Sequence, residues 1–464
     1  MEDLKLFDYQ IEGSEWLQSR NGLLAYDMGL GKSATAITAS DSINAKTILI
    51  ICPAIVRSNW VNEFNKFSKN NKANVAYKVS EISNVCIVSY DFAMSKIKEL
   101  SKIEWDCLII DESHYLKNPT AKRTKAIIGN NGLAHKAKRI WCLSGTPMGN
   151  HVAELWTMLF IFGVTKLKYS EFISTYCETA QNPWGGTIIV GNKQNKLQEV
   201  GIMLSKIMLR KTKEDVMIQL PPIFYKDMVV PQVELTFDQL QKDSSFLSYF
   251  FPFDKSKELF EKLKKDAEML QHLDESQSFG TINGFKLLEG LANSVATLRV
   301  YCGMQKAIRM AEVIHEELEN NDYQKIVLFT VHKAAMYILL DKLLPFGAVA
   351  VYGATNEPER IRRIEKFQKD PKTRVMVCNI IAAGIGINLT AASQVVMVEM
   401  LWSPNPNAQA IMRCHRLGQK ESVNVRFVSL ENSIDQKVVQ ILKKKVKDIT
   451  DVFKFAKDNQ GENL

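Results

Sequence analysis

The sequence predicts a parallel α/β protein in two lobes, and three observations predict it. Short apolar runs alternate with longer amphipathic stretches, as strands buried on both faces alternate with helices. That alternation occurs twice, within residues 47–143 and again from Lys325 onward. Between the two series the texture changes to turns, aromatics and charged helical sequence.

In the first series the strand signal falls on residues 47–52, 85–89, 107–110 and 140–143, with an amphipathic stretch over 56–67. Residues 154–176 then read as helical and aromatic, and Asn182-Pro183-Trp184-Gly185-Gly186 and Gly191-Asn192 mark turns. Leu220-Pro221-Pro222 breaks the chain, which sets the expected lobes at residues 1–222 and 223–464. Residues 235–318 are mostly helical and rich in Lys, Glu and Leu. They are expected to form a helical insertion to about residue 300, followed by the entry helix of the second lobe. The second strand series is 326–330, 349–352, 374–378, 395–399 and 423–428, and a basic helix over 433–457 closes the chain.

Composition sets the bounds. At 464 residues, a prior of roughly 150 residues per domain gives two to four domains. A hydrophobic fraction of 46%, a charged fraction of 24% and a net charge of +8 describe an ordinary soluble protein with a mild preference for polyanions. The eight cysteines (Cys52, Cys86, Cys107, Cys142, Cys177, Cys302, Cys378, Cys414) form no C-x-x-C. They are expected to be buried reduced thiols, with no structural zinc. Residues 1–5 hold no apolar signal core and no apolar run reaches membrane-spanning length. The expected location is cytoplasmic, without a membrane partner.

The chemistry concentrates at a few places. In Gly29-Leu30-Gly31-Lys32-Ser33, glycines free the backbone amides to wrap phosphate oxygens, and the helix that follows aims its N-terminus at the same charge. Lys32 is expected on the β/γ-phosphates and Ser33 on Mg²⁺. The strict eight-residue pattern wants a glycine where Tyr26 stands. Asp111-Glu112 follows the apolar run Cys107-Leu108-Ile109-Ile110. Acidic pairs also cap strands as solvated groups, but after a phosphate loop this pair suits Mg²⁺ binding by Asp111 and water activation by Glu112. Ser144-Gly145-Thr146-Pro147 closes another apolar run, and its hydroxyls are placed to sense a γ-phosphate or to contact the Asp111-Glu112 strand. Arg413 and Arg416, three apart, would share a helical face, with Gln409 one turn earlier. Exposed arginine pairs are usually solvated. This pair, between the Gly-rich 383–388 and Gly418-Gln419, suits arginine fingers.

At this point the chain resembles the Snf2 family of superfamily-2 helicase-like ATPases over almost its whole length. The resemblance runs through Leu6-Phe7-Asp8-Tyr9-Gln10 with Trp16-Leu17, Asp27 to Ser33, Cys52-Pro53 with Trp60 and Phe64, and Ser89-Tyr90-Asp91. It continues through Asp111-Glu112-Ser113-His114-Tyr115-Leu116-Lys117-Asn118, residues 143–147, 208–216, 325–332, Tyr352-Gly353 with Arg360, 382–392 and 409–419. Two departures, Tyr26 for an acid and Ser33 for threonine, leave ATP chemistry intact. Ser113 and the 183–186 stretch are similar to the annealing-helicase and fork-remodeller branch, and the Lys, Asn and Ile content looks like that of a viral or bacterial product.

The resemblance implies two RecA-like parallel-sheet lobes, ATP and Mg²⁺ as cofactors, and Gln10 at the adenine. It places Gly29, Gly31, Gly386 and Gln409 around the nucleotide. It also implies a DNA track formed by Arg57, Trp60, Ser89 and Tyr90 with Asn388, Thr390 and Trp402, although an aromatic such as Trp402 after a strand is more often core. The expected function is a monomeric DNA-dependent ATPase that translocates on duplex DNA and remodels forks or Holliday-type junctions. A remodeller that displaces proteins from DNA and a non-hydrolysing junction scaffold are the alternatives.

Overall fold

In the computed structural model, residues 6–181, 186–216, 220–233, 261, 292–383, 387–416 and 418–459 are described. Two parallel sheets organise them. The first has seven strands: β1 (Gly22–Leu24), β2 (Ile48–Cys52), β3 (Asn74–Val75), β4 (Val85–Ser89), β5 (Trp105–Asp111), β6 (Ala137–Leu143) and, after the hairpin below, β9 (Met208–Leu209). Their order is β3-β4-β2-β5-β6-β1-β9, every pair parallel. β7 (Cys177–Gln181) and β8 (Thr187–Asn192) form a separate antiparallel hairpin.

The second sheet comprises β10 (Ile223–Val230), β11 (Ile326–Thr330), β12 (Val349–Val351), β13 (Val375–Asn379), β14 (Gln394–Met397) and β15 (Val423–Leu430). Their order is β10-β15-β14-β11-β13-β12, again all parallel. The expected strands are all present, with ends shifted by a few residues.

Each sheet separates two cores because strand side chains alternate faces. Leu49, Ile51, Cys86, Val88, Leu108 and Ile110 enter one core of the first sheet. Their neighbours Ile48, Ile50, Ile87, Cys107 and Ile109 enter the other. In the second sheet Ile326, Leu328, Val375, Val377 and Val396 face one core, while Val327, Phe329, Met376, Cys378, Val395 and Met397 face the opposite one. Double burial is why these strands read as unbroken apolar runs.

The described chain falls into two compact units. One holds residues 6–181, 187–216 and 445–459, and the other holds Gly186 and the described residues between Leu220 and Lys444. This differs from the expected single boundary at residue 222. The long helix Ile434–Asp458 gives Ile434, Val438 and Leu442 to cores of the second unit. Its last turns give Val452, Phe453 and Ala456 to the first. Helical periodicity marks these residues as buried without naming what buries them. The expected insertion over 235–300 lies almost wholly outside the described residues, as do residues 182–185 of the expected turn. All eight cysteines are free and buried, and no described helix is long and apolar enough to cross a membrane.

Candidate active site

The loop between β1 and the helix Lys32–Ser42 takes its shape from two glycines. Gly29 (φ 87°) and Gly31 (φ 72°) both sit in the left-handed region, and a Cβ on Gly29 would meet nothing within 4 Å. Gly31 is the helix N-cap and brings no side-chain cap, so the first helical amides are open to an anion. A Cβ on Gly31 would lie 2.2 Å from Gln10 Nε2, because buried Gln10 packs directly on the loop. Gln10 Nε2 donates to Leu30 O at 3.3 Å, and Gln10 Oε1 accepts from Phe7 N at 3.0 Å. Tyr26, where a glycine was expected, is a fully buried core residue. Its hydroxyl donates to Tyr9 O at 2.6 Å and a Cβ on Gly13 would collide with it. The ring therefore joins the loop to the helix Asp8–Ser19.

Lys32 Nζ donates to Tyr26 O at 2.9 Å and Asp27 O at 3.2 Å. Burial pulls its ammonium below the ordinary lysine value, against the opposing pull of Glu112, Asp111 and Asp27. The loop is braced from behind. Arg210 Nη2 pairs with Asp27 Oδ1 at 3.0 Å and Nη1 donates to Ala25 O at 3.0 Å. Lys213 N also donates to Asp27 Oδ2 at 3.2 Å. The Arg210 guanidinium lies 4.7 Å from the ring centre of Phe453, on the returning C-terminal helix.

β5 ends at Asp111. Trp60 Nε1 donates to Asp111 Oδ2 at 2.8 Å, and Glu112 N donates to Asp111 Oδ1 at 2.9 Å. Burial, with Glu112 beside it, pushes the Asp111 carboxyl up to about 6. Among the described residues, Glu112 is one of four non-glycine residues with positive φ, at 52°. Tyr90 Oη donates to Asp111 O at 2.7 Å and contacts Glu112 O at 3.3 Å. His114 Nδ1 lies 3.2 Å from Glu112 Oε2 and 3.1 Å from Ser144 Oγ, which also accepts from Thr146 N at 3.2 Å. Ser144 thus contacts His114, two residues beyond Glu112, and not the Asp111-Glu112 carboxylates.

These residues fit Mg²⁺-nucleotide. A half-buried carboxylate raised by its surroundings gains from a cation, while open helix amides and a glycine cradle receive phosphate. Among the described residues no three His, Cys, Asp or Glu side chains gather as a metal cage. Mg²⁺ commonly takes only one or two carboxylates and completes its shell with phosphate and water.

The structure therefore gathers Gln10, Gly29, Gly31, Lys32, Ser33, Asp111 and Glu112 in the first unit. Gln409, Arg413 and Arg416 belong to the second, and Gly386 lies outside the described residues. The expected shared helical face of the arginines is corrected. The helix Pro404–Ile411 stops before them, and the chain turns through Arg413 N to Ala410 O (3.1 Å) and Cys414 N to Ile411 O (3.0 Å). Arg413 is buried, whereas Arg416 is half-buried with Nε on Met412 O at 3.2 Å.

Three residues expected on a DNA track sit elsewhere. Trp60 (1% exposed) and Tyr90 (5%) are internal supports of Asp111 and Glu112. Ser89 is buried and caps the helix Tyr90–Ser95 by accepting from Phe92 N at 3.1 Å. Arg57 lies 4.5 Å from the Tyr77 ring centre, Asn388 is exposed and Thr390 half-exposed. Trp402 is half-buried, with the Arg299 guanidinium 5.3 Å from its ring centre. The supports Trp60, Tyr90, Arg210 and Phe453 had no role assigned from sequence as braces, because nothing local marks a partner tens or hundreds of residues away.

Residues 9–265 match the SNF2-related domain and residues 309–418 the helicase conserved C-terminal domain. The SWI/SNF-related matrix-associated actin-dependent regulator of chromatin subfamily A-like protein 1 homolog of Caenorhabditis elegans is 29% identical over 95% of this chain and 61% of its own length. The DNA annealing helicase and endonuclease ZRANB3 of Mus musculus is 27% identical over 95% of this chain and 40% of its own. This chain thus spans less than two thirds of either relative. Among solved structures, the Sulfolobus solfataricus SWI2/SNF2 ATPase core in complex with dsDNA aligns over 99% of this chain and 95% of that one, at 23% identity and a TM-score of 0.42.

Proposed function

This chain belongs to the SNF2-related family, and on that premise we propose that it is a DNA-dependent ATPase that translocates on duplex DNA and remodels branched structures. The observation that carries the reading is the first unit's assembled cluster. Lys32, Asp111 and Glu112 lie within one electrostatic neighbourhood; Trp60 bonds the Asp111 carboxylate, Tyr90 bonds the backbone carbonyls of Asp111 and Glu112, and His114 lies beside the Glu112 carboxylate. When bound, Mg²⁺-ATP would supply the phosphoryl group and the positive charge that offsets its oxygens. Lys32 would leave the carbonyls of Tyr26 and Asp27 for the β/γ-phosphates. Ser33 and Asp111 would hold the cation. Glu112, held by His114, would orient the attacking water and accept its proton. Arg413 and Arg416 would supply positive charge where negative charge develops.

DNA as the partner is supported by a net charge of +8 and by the name of the mouse relative, a DNA annealing helicase. Arg57, Asn388, Thr390 and Trp402 remain the proposed contacts, and the active form is a monomer. Migration of a branch exchanges base pairs for base pairs, so its net pairing cost is near zero and modest force suffices. The C. elegans relative's name, a regulator of chromatin, favours a second reading, displacement of proteins from DNA. Incubating the chain and ATP with mobile junctions, forks, blunt duplex and protein-loaded duplex separates these. Junction and fork processing supports the first reading; vigorous unwinding of blunt duplex without junction processing contradicts it.

A further inference from the structure

Tyr115 lies just beyond the acidic pair and remains 41% exposed. Its ring stacks on Tyr90, with centroids 5.3 Å apart and planes 20° apart. Tyr90 is buried, and its hydroxyl bonds the carbonyls of Asp111 and Glu112. Tyr115 N donates to Glu112 O at 2.9 Å. Both members of the ring pair therefore bond the carbonyl of Glu112.

Glu112 is where backbone strain is stored. A glutamate in the left-handed region, at φ 52° and ψ 48°, is strained and persists only where its surroundings hold it. The bonds from Tyr90 and Tyr115 to its carbonyl help to hold it here. The ring stack also reaches outward. The Arg123 guanidinium lies 5.7 Å from the Tyr115 ring centre, and Lys122 precedes it on the helix Lys122–Ile128. A partly exposed aromatic ring with a cation over it fits a nucleotide unit, which offers a base or sugar for the ring and a phosphate for the arginine.

We propose that Tyr115 is a positioning residue which, through Tyr90, transmits contact with a nucleic-acid strand to the backbone of Glu112. The inference rests on the reading of this chain as a DNA-stimulated ATPase. A strand seated on Tyr115 and Arg123 presses the ring pair together and steadies the strained Glu112. Without that contact the carboxylate samples poorer geometry. Misplacement by an ångström can lower a rate by about 10²-fold.

The test compares ATP turnover with and without duplex DNA in the wild-type chain, Tyr115→Ala, Tyr115→Phe and Arg123→Ala, with DNA affinity measured separately. The expected result is loss of most of the DNA stimulation in Tyr115→Ala at saturating DNA, by roughly ten- to a hundredfold, with retention in Tyr115→Phe. Arg123→Ala is expected to need more DNA for half-maximal stimulation. Tyr90→Phe, which keeps the stack but removes the hydroxyl, is expected to behave like Tyr115→Ala, and covers the case in which that variant fails to fold. Full stimulation in folded Tyr115→Ala or Tyr90→Phe overturns the proposal. An equal loss in Tyr115→Phe, a ring that still stacks, overturns it as well. A wild-type chain that shows no stimulation removes the underlying reading, a different observation from a stimulated wild type with unimpaired variants.

Discussion

Replacing Trp60 with phenylalanine keeps an aromatic ring in the core beside Phe64 but removes the indole N–H that reaches Asp111 Oδ2 at 2.8 Å. That donor is among the groups that oppose the burial raising the Asp111 carboxyl. A hydrogen bond to a charged group contributes roughly 1.5–3 kcal/mol. Groups that orient a metal ligand affect metal affinity by about 10- to 100-fold. The Mg²⁺ concentration for half-maximal ATP turnover is therefore expected to rise by about that factor in Trp60→Phe. Nucleotide binding without Mg²⁺ should change little, because Lys32 and the loop amides are untouched. The assay is a Mg²⁺ titration of turnover, with denaturant unfolding in parallel to show that the variant is folded. An unchanged Mg²⁺ requirement in folded Trp60→Phe would refute the claim that this indole positions a metal ligand.

Lys32→Ala is expected to lose ATP binding and turnover together, whereas Glu112→Gln should hold ATP and fail to hydrolyse it; binding and turnover measured on the same preparations decide. Arg416→Ala should lower turnover by about 10³-fold or more with little loss of ATP affinity, and weaker ATP binding with unchanged turnover would contradict a role in the transition state. Arg210→Ala removes the ion pair behind the phosphate loop and is expected to weaken ATP binding by on the order of tenfold, measured by titration with nucleotide. Phe453→Ala opens a cavity in the first unit's core and should destabilise it by about 3–5 kcal/mol in denaturant unfolding.

Much of the fold was legible because doubly buried strands leave unbroken apolar runs, as at residues 107–110 and 326–330. The strand β10 was not, because Lys226 and Asp227 interrupt its pattern and its residues are mostly exposed at a sheet edge. Gly29, Gly31, Lys32, Asp111 and Glu112 were legible since each sits where an apolar segment gives way to a chemically unusual polar one. Trp60 and Tyr90 illustrate the limit. An aromatic near a functional motif reads equally as a surface contact or an internal support, and only burial and the partner of its polar atom decide. The C-terminal helix shows the same limit at larger scale, since Val452, Phe453 and Ala456 carry a clear apolar stripe whose destination is set by tertiary structure. The arginine pair was misplaced because two- and three-residue spacings persist through turns, and only the observed hydrogen bonds end the helix at Ile411.

The most direct measurement is steady-state ATP turnover of the purified chain with Mg²⁺, alone and with single-stranded, duplex, forked and four-way DNA, alongside Lys32→Ala. Turnover is expected to rise on duplex and branched DNA, to depend on Lys32, and to fall steeply as added salt weakens phosphate contacts. Equal turnover with and without every DNA, or turnover that survives Lys32→Ala, would contradict the account.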